Sequence, residues 1–387
     1  MKTAIFLGAG ASAAEGAPVQ KNLFRDYFKS VSHLPIDKGI DERQIDDGVT
    51  RMKRELSEFF RLIFNIDTQV SNDRLDTITF PIFEEVLGIL DLAELRRESL
   101  KNFDLEDVGR YGNRIRLVRQ FLILAMAKAI ADSLQHIKSL HVTLANNLKN
   151  QDLLPDTTFI STNYDILIDN ALLVARLDDE TPGRWLDYGV DFTNFDLPQG
   201  LPQQWRYWYR PDPKAIKLFK LHGSLNWLYC ATCNSLTLTP GMKGVIELIT
   251  NSRDEVFKCL TCASIMSPII VPPTFYKDMS RVFLSTIWNK VEQDLRQVDH
   301  VIFCGYSFPD ADMHIKYLLK RIQVNRPNPY GLSFTVINQG PNPNPAQAAD
   351  EKQRFERFLG SKLNYTDASF EDFAVEPARF YVSGNNQ

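Results

Sequence analysis

The chain has 387 residues, of which 44% are hydrophobic and 24% charged, and a formal net charge of −4. That balance suits a soluble globular protein of two or three domains with a substantial core. It offers no general basic field, so direct nucleic-acid binding is not expected. No apolar run reaches the roughly 18 residues of a membrane span, and the short apolar N-terminus, broken at once by Gly8, does not read as a signal peptide. A cytoplasmic location without membrane contact is expected. Four of the five cysteines come as two close pairs, which suggests a metal more than disulfides in a reducing compartment.

Residues 4–8 (Ala-Ile-Phe-Leu-Gly) read as a short buried strand running into Gly8-Ala9-Gly10-Ala11-Ser12-Ala13. Residues 19–30 then carry helical spacing through Val19, Leu23 and Tyr27. Between 31 and 154 the spacing stays helical: Leu56, Phe59, Phe60 and Ile63; Phe83, Val86, Leu87 and Leu90; then Val118 through Leu148. Strands return at 157–162, 216–221, 269–271, 300–304 and 333–337, with helices at 166–175, 283–297 and 314–323. Such alternation implies a parallel sheet covered on both faces. The expected architecture is α/β, a Rossmann-like parallel sheet formed by residues 1–30 and 155–340. A helical insertion interrupts it at 31–154, a small zinc ribbon lies at about 229–266, and a charged, helical tail follows at 341–387.

Gly8-Ala9-Gly10-Ala11-Ser12-Ala13 fits G-x-G-x-x-G/A between a strand and a helix. Glycines there let the backbone approach a pyrophosphate, and a helix N-terminus offers N–H groups to the anion; Ser12 could add a hydroxyl donor. The acidic residue usual about 20 positions on in a dehydrogenase fingerprint has no convincing counterpart, since Asp26 falls inside the expected helix. Asn163 and Asp165 follow the strand at 157–162, where open α/β sheets place ligands, although Asn and Asp are also common turn and cap formers. His222 follows the strand at 216–221 and precedes Gly223. Its ordinary pKa of about 6.5 suits proton transfer near neutrality. Trp227 fits a pocket wall or the core equally well. Cys230-x-x-Cys233 and Cys259-x-x-Cys262 have the spacing of a closed tetrahedral zinc site. Cys304 follows an apolar run and is expected to be buried.

Taken together these motifs resemble the sirtuin superfamily. Gly8–Ser12 with Gly16-Ala17-Pro18 is similar to its opening, and Ser161-Thr162-Asn163-Tyr164-Asp165 to its Thr-Gln-Asn-x-Asp signature. Lys220-Leu221-His222-Gly223-Ser224 resembles its catalytic His-Gly segment. The loop Gly305–Asp312 and the step Val336-Ile337-Asn338 follow in the family's order. The resemblance implies NAD as substrate, cleaved at the nicotinamide–ribose bond with Asn163 and His222 as catalytic residues. It also implies NAD binding through Gly8, Ala9, Gly10, Ser12, Asp165, Gly305, Ser307 and Asn338, and zinc on Cys230, Cys233, Cys259 and Cys262. Two segments depart from the protein-deacetylating members: Val19-Gln20-Lys21 after Pro18, and Pro272-Pro273-Thr274-Phe275-Tyr276-Lys277 after the ribbon. With the helical insertion, they look instead like sirtuin-like NAD hydrolases of bacterial antiphage defence. That implies a homo-oligomer and, because the chain has no Walker A sequence, a separate HerA-type ATPase partner. The alternatives are an NAD-dependent protein deacylase and a non-catalytic nucleotide-binding scaffold.

Overall fold

The computed structural model describes residues 1–32, 48–105, 113–134, 138–175, 186–196, 210–239, 258–271, 282–310, 312–326, 331–339, 345–360 and 363–381. The expected segment Pro272–Lys277 and the ribbon's loop at 251–257 lie outside the described residues. In chain order the first elements are β1 (Thr3–Leu7), α1 (Ala9–Ala14), α2 (Gln20–Ser30), α3 (Gly48–Ile63), α4 (Asn72–Thr77), α5 (Phe83–Arg96), α6 (Arg114–Ser133) and α7 (Leu140–Asn150). Then come β2 (Thr157–Ser161), α8 (Leu167–Val174), β3 (Leu186–Asp187), β4 (Ile216–Lys220), β5 (Gly223–Tyr229), β6 (Leu236–Leu238) and β7 (Ser267–Ile270). The last are α9 (Val282–Leu295), β8 (His300–Cys304), α10 (Met313–Val324), β9 (Ser333–Gln339), α11 (Pro345–Leu359), β10 (Asn364–Ser369) and α12 (Phe370–Val375).

Seven strands form one parallel sheet in the order β10-β9-β8-β1-β2-β4-β3. β1, β2 and β8 are buried along their whole length, as central strands of a sheet covered on both faces must be. This is the Rossmann-like arrangement expected from the apolar runs. The strand near 269–271 does not join it. β7 pairs antiparallel with β5, which also pairs with β6, in a separate three-stranded sheet. Only Leu221 and His222 separate β4 from β5, so the chain leaves the large sheet by a tight turn with no crossover helix. A parallel neighbour would need such a crossover.

Two cores result. The larger surrounds the parallel sheet; the second is built on aromatic side chains of the helices. α2, expected beside the sheet, packs in the second core through Leu23, Phe24, Tyr27 and Phe28, with Phe24 and Phe60 rings 4.8 Å apart. α7 does the reverse, putting Leu140, Leu144, Ala145 and Leu148 into the sheet's core. Among the described residues, no segment between 48 and 134 adds a strand to the main sheet. The second core also takes in Leu225 of β5 and Ile270 of β7, with Tyr164 packed against it.

The C-terminal residues do more than form a charged helix. β10 pairs parallel with β9 at the sheet's edge, and Phe370, Phe373, Ala374 and Phe380 are buried in the main core. Phe373→Ala is therefore expected to cost about 3–5 kcal/mol, read from denaturant unfolding of the full chain. An unchanged midpoint would show that this segment is a dispensable tail.

Candidate functional site

Strand register sets the site. Leu7 of β1 pairs with Ser161 of β2 and Cys304 of β8; Ser161 pairs with Lys220 of β4, and Cys304 with Ile337 of β9. Four strands, β1, β2, β4 and β8, thus end level, β9 runs two residues further, and the motif residues lie at or just beyond this row. The chain runs from β1 to β2 on one side and from β8 to β9 on the other, so the sheet changes direction at the β1–β8 pair. Ligands of open α/β sheets bind at such a switch point, beyond the carboxyl ends of the strands.

The loops after β1 and β8 are packed backbone to backbone. Gly8 N–H donates to the Cys304 carbonyl at 2.9 Å, Gly10 N–H to the Gly305 carbonyl at 2.8 Å, and Gly305 N–H to the Ile337 carbonyl at 3.0 Å. Gly305 has φ +63, and a Cβ there would lie 2.1 Å from the Ala11 nitrogen. One at Gly8 would lie 2.6 Å from the Gly305 carbonyl oxygen. The glycines thus answer first to one another, and the Gly10 N–H is already used within the protein. Ala9 and Gly10 remain exposed at the start of α1, and Ser307 is exposed on the facing loop.

Ser12 joins this turn to the loop after β2. Its hydroxyl donates to Asp165 Oδ2 at 2.6 Å and accepts from Asn163 Nδ2 at 2.8 Å. The same Nδ2 donates to the Gly8 carbonyl at 2.8 Å. A carbonyl can only accept, so this contact fixes which end of the amide is nitrogen. Both amide hydrogens of Asn163 are therefore committed, and Oδ1 is the atom with which it can meet a ligand. The hydroxyl hydrogen of Ser12 is given to Asp165. Asp165 Oδ1 accepts from Leu167 N–H at 3.1 Å at the start of α8. All three side chains are buried.

His222 occupies the two-residue link between β4 and β5. Its carbonyl accepts from Val271 N–H at 2.9 Å, and its ring lies 6.2 Å from that of Tyr164, centroid to centroid. Nε2 stands 3.8 Å from Asp312 Oδ1, with both residues 2% exposed. That is an ion-pair distance when the imidazole is protonated, and too long for a hydrogen bond. Asp312 Oδ2 accepts from the Tyr306 hydroxyl at 2.8 Å. Burial, and then the Asp312 charge, push Tyr306 well above its ordinary pKa, so it holds its proton as a donor. Asp312 closes the quoted loop motif, but sequence reasoning did not single it out.

A second polar group missed in the sequence lies beneath the loops. Lys220, fully buried, donates to the Asp165 carbonyl and to Asp169 Oδ2, the latter at 3.1 Å. Tyr188 donates to Asp169 Oδ1 at 2.7 Å. A buried ion pair survives only when its remaining lone pairs are satisfied, and the Tyr188 hydroxyl and the Asp165 carbonyl do that. Trp227 is in the core, packed edge-on against Tyr188 and Phe192. Cys304 is also core, its thiol pushed up by burial. Asn338, near the end of β9, donates to Glu351, which also accepts from the Tyr365 hydroxyl at 3.0 Å. Burial raises the Glu351 carboxyl.

Cys230, Cys233, Cys259 and Cys262 converge beyond the small sheet, their sulfurs all within 4.8 Å of one another. The two pairs are built alike: Cys230 N–H bonds the Ser235 carbonyl at 2.9 Å and Cys259 N–H the Ser264 carbonyl at 2.8 Å. Left-handed Asn234 and Ala263 follow each pair. Four thiolates around zinc, each about 2.3 Å from it, require sulfurs this close, so the cluster could hold that ion and leave it no open position.

Residues 157–358 match the model of a family described as "SIR2-like domain". No curated protein matches the chain. Among solved structures the chain is similar to Sir2Tm bound to a propionylated peptide, at 14% identity and TM-score 0.40, covering 98% of this chain and 94% of that one. It is similar to Sir2 bound to an acetylated peptide, at 13% identity and TM-score 0.40 over the same shares. It is similar also to a Sir2–p53 peptide–NAD+ structure, at 13% identity and TM-score 0.38, covering 98% of this chain and 93% of that one.

The glycine contact gives a direct test. Positive φ alone costs a non-glycine residue about 1–3 kcal/mol, and Gly360, at φ +103 with nothing within 4 Å of its Cβ position, would bear that strain only. Gly305→Ala is expected to lower the melting temperature clearly more than Gly360→Ala. Equal losses would mean that the two loops are not in contact.

Proposed function

The chain belongs to the SIR2-like domain family, and from that premise we propose that it hydrolyses NAD, releasing nicotinamide and ADP-ribose. The observation that carries this reading is Asn163: a buried amide with both hydrogens committed to the loop after β1, so that its oxygen is a fixed acceptor on the loop beside that of His222. In this reading the pyrophosphate lies over Gly8, Ala9 and Gly10, with Gly305 and Ser307 on the facing loop. The adenosine ribose lies toward Asn338 and the nicotinamide ribose toward Asn163 and His222. Ser12 and Asp165 act through Asn163 rather than on the substrate.

The glycosidic bond from ribose C1′ to the nicotinamide nitrogen breaks, and its electron pair neutralises the pyridinium. A water oxygen then bonds to C1′. Asn163 Oδ1 accepts a hydrogen bond from that water or from a ribose hydroxyl, and His222 takes up the proton. Fixed groups aimed at developing charge need no reorganisation during reaction, and a doubly anchored Asn163 is such a group. The departures at Val19-Gln20-Lys21 and Pro272–Lys277 favour water over an acyl-lysine peptide as the acceptor. The same resemblance supports a role in antiphage defence, as a homo-oligomer working with a HerA-type ATPase.

General acid–base help is typically worth about 10²–10⁴-fold. His222→Ala and Asn163→Ala should each lose at least about 100-fold in nicotinamide release from NAD, while His222→Ala keeps a melting temperature near that of the parent. Folded variants that cleave NAD at the parent rate would remove these residues from the reaction.

We further propose that the four cysteines hold one structural zinc per chain, since metal binding free energy is then partly folding free energy. Purified protein should contain one equivalent by metal analysis, and Cys259→Ser should lose both the zinc and thermal stability. Folded protein free of zinc would contradict this.

A further inference from the structure

We propose that Asp312 is the positioning residue for His222: its carboxylate orients the imidazole and favours the protonated form that the ring takes up during turnover. The inference rests on the reading of His222 as proton acceptor, and it adds a residue from the loop after β8 to the pair from the loops after β2 and β4.

Three observations carry it. First, the carboxylate faces the ring across 3.8 Å with both side chains buried. An opposite charge within about 4–6 Å of a titrating group favours its charged form by about 1–3 pKa units. Second, Asp312 is itself fixed. Tyr306 donates to Oδ2, which leaves Oδ1 as the oxygen turned to the imidazole. Third, Asp312 is the N-cap of the 12-residue α10 and makes no side-chain cap bond there. The positive end of the helix dipole favours a negative charge at that position.

Described titratable groups in this neighbourhood include Tyr164 and Lys220. Tyr164 lies by the ring and interacts electrostatically with Glu84, Asp91, Arg119 and Asp312. Lys220, two positions before His222, is matched by Asp169. Burial alone would lower the proton affinity of His222; Asp312 opposes that. The neutral imidazole accepts the proton released when water attacks C1′, and the carboxylate stabilises the imidazolium that forms.

The test is the titration of the His222 ring by ¹⁵N–¹H correlation NMR on the full chain, with its resonance identified by its loss in His222→Gln. In the parent protein the ring is expected to titrate at or above the ordinary value of about 6.5. In Asp312→Asn, of equal size, it should titrate at least about one unit lower. In the NAD-cleavage assay the acidic limb of the pH profile should move the same way, to lower pH. Coincident titrations in the two folded proteins would overturn the proposal. Should Asp312→Asn fail to fold, the parent value decides, because a midpoint below the ordinary value means that burial acts unopposed. The titration needs no turnover. A protein that shows the shift but cleaves no NAD would refute the proposed reaction and leave the Asp312–His222 pairing standing.

Discussion

The site hangs on one hydroxyl. Ser12, at the buried side of α1, receives a hydrogen bond from Asn163 and gives one to Asp165. By itself the loop after β2 is a turn of polar residues with several ways to satisfy its groups. Tied to Ser12 and to the Gly8 carbonyl, it has one. The position of Asn163 is then set by the loop that follows β1, and that loop is set in turn by its contact with Gly305. Three loops from three separate parts of the chain thereby fix one amide oxygen. Buried polar networks of this kind specify a unique arrangement when every member is satisfied, and Asn163, Ser12 and Asp165 satisfy one another.

The level strand ends make this possible. Hydrogen bonds that continue the parallel ladder past the strands, such as Thr162 N–H to Leu7 O at 3.1 Å and Leu221 N–H to Ser161 O at 3.0 Å, carry the register into the loops. Asn163 and His222 each sit two positions beyond paired residues, Ser161 and Lys220. The Lys220–Asp169–Tyr188 group then ties the end of β4 to α8 and to Tyr188 beyond β3. On the far side, Tyr164 joins the site loop to the helical core, with Phe83 of α5 at 6.5 Å between ring centroids. The helices and the small sheet are therefore in mechanical contact with the residues proposed to do chemistry.

Much of this was legible in the sequence, for a physical reason. β1, β2 and β8 are buried throughout and β4 and β9 over most of their length, and Asn163, Asp165 and His222 stand in the loops that follow two of those strands, β2 and β4. Partnership was harder to read. Helical spacing shows that α2 has a buried face, but not that the face meets Phe60 instead of the sheet. β10, Asn-Tyr-Thr-Asp-Ala-Ser, lies at the sheet's edge with little of it buried, so it has no apolar run to reveal it. Asp312 stood in a motif quoted for its glycine and serine; its role depends on the 3.8 Å approach to a residue 90 positions earlier, which no local pattern encodes. Lys220 stood in the segment quoted for His222 with no role of its own, and its complete burial and its pairing with Asp169 emerge only from the fold.

The central claim is that water, and not an acyl group, captures the ribosyl carbon. It is tested most directly by the product formed when the full chain is given NAD together with an acetyl-lysine peptide and the nucleotide products are separated and weighed by mass spectrometry. The account predicts nicotinamide and free ADP-ribose in equal amounts, with the peptide still acetylated. Acetyl-ADP-ribose accompanied by deacetylated peptide would contradict it.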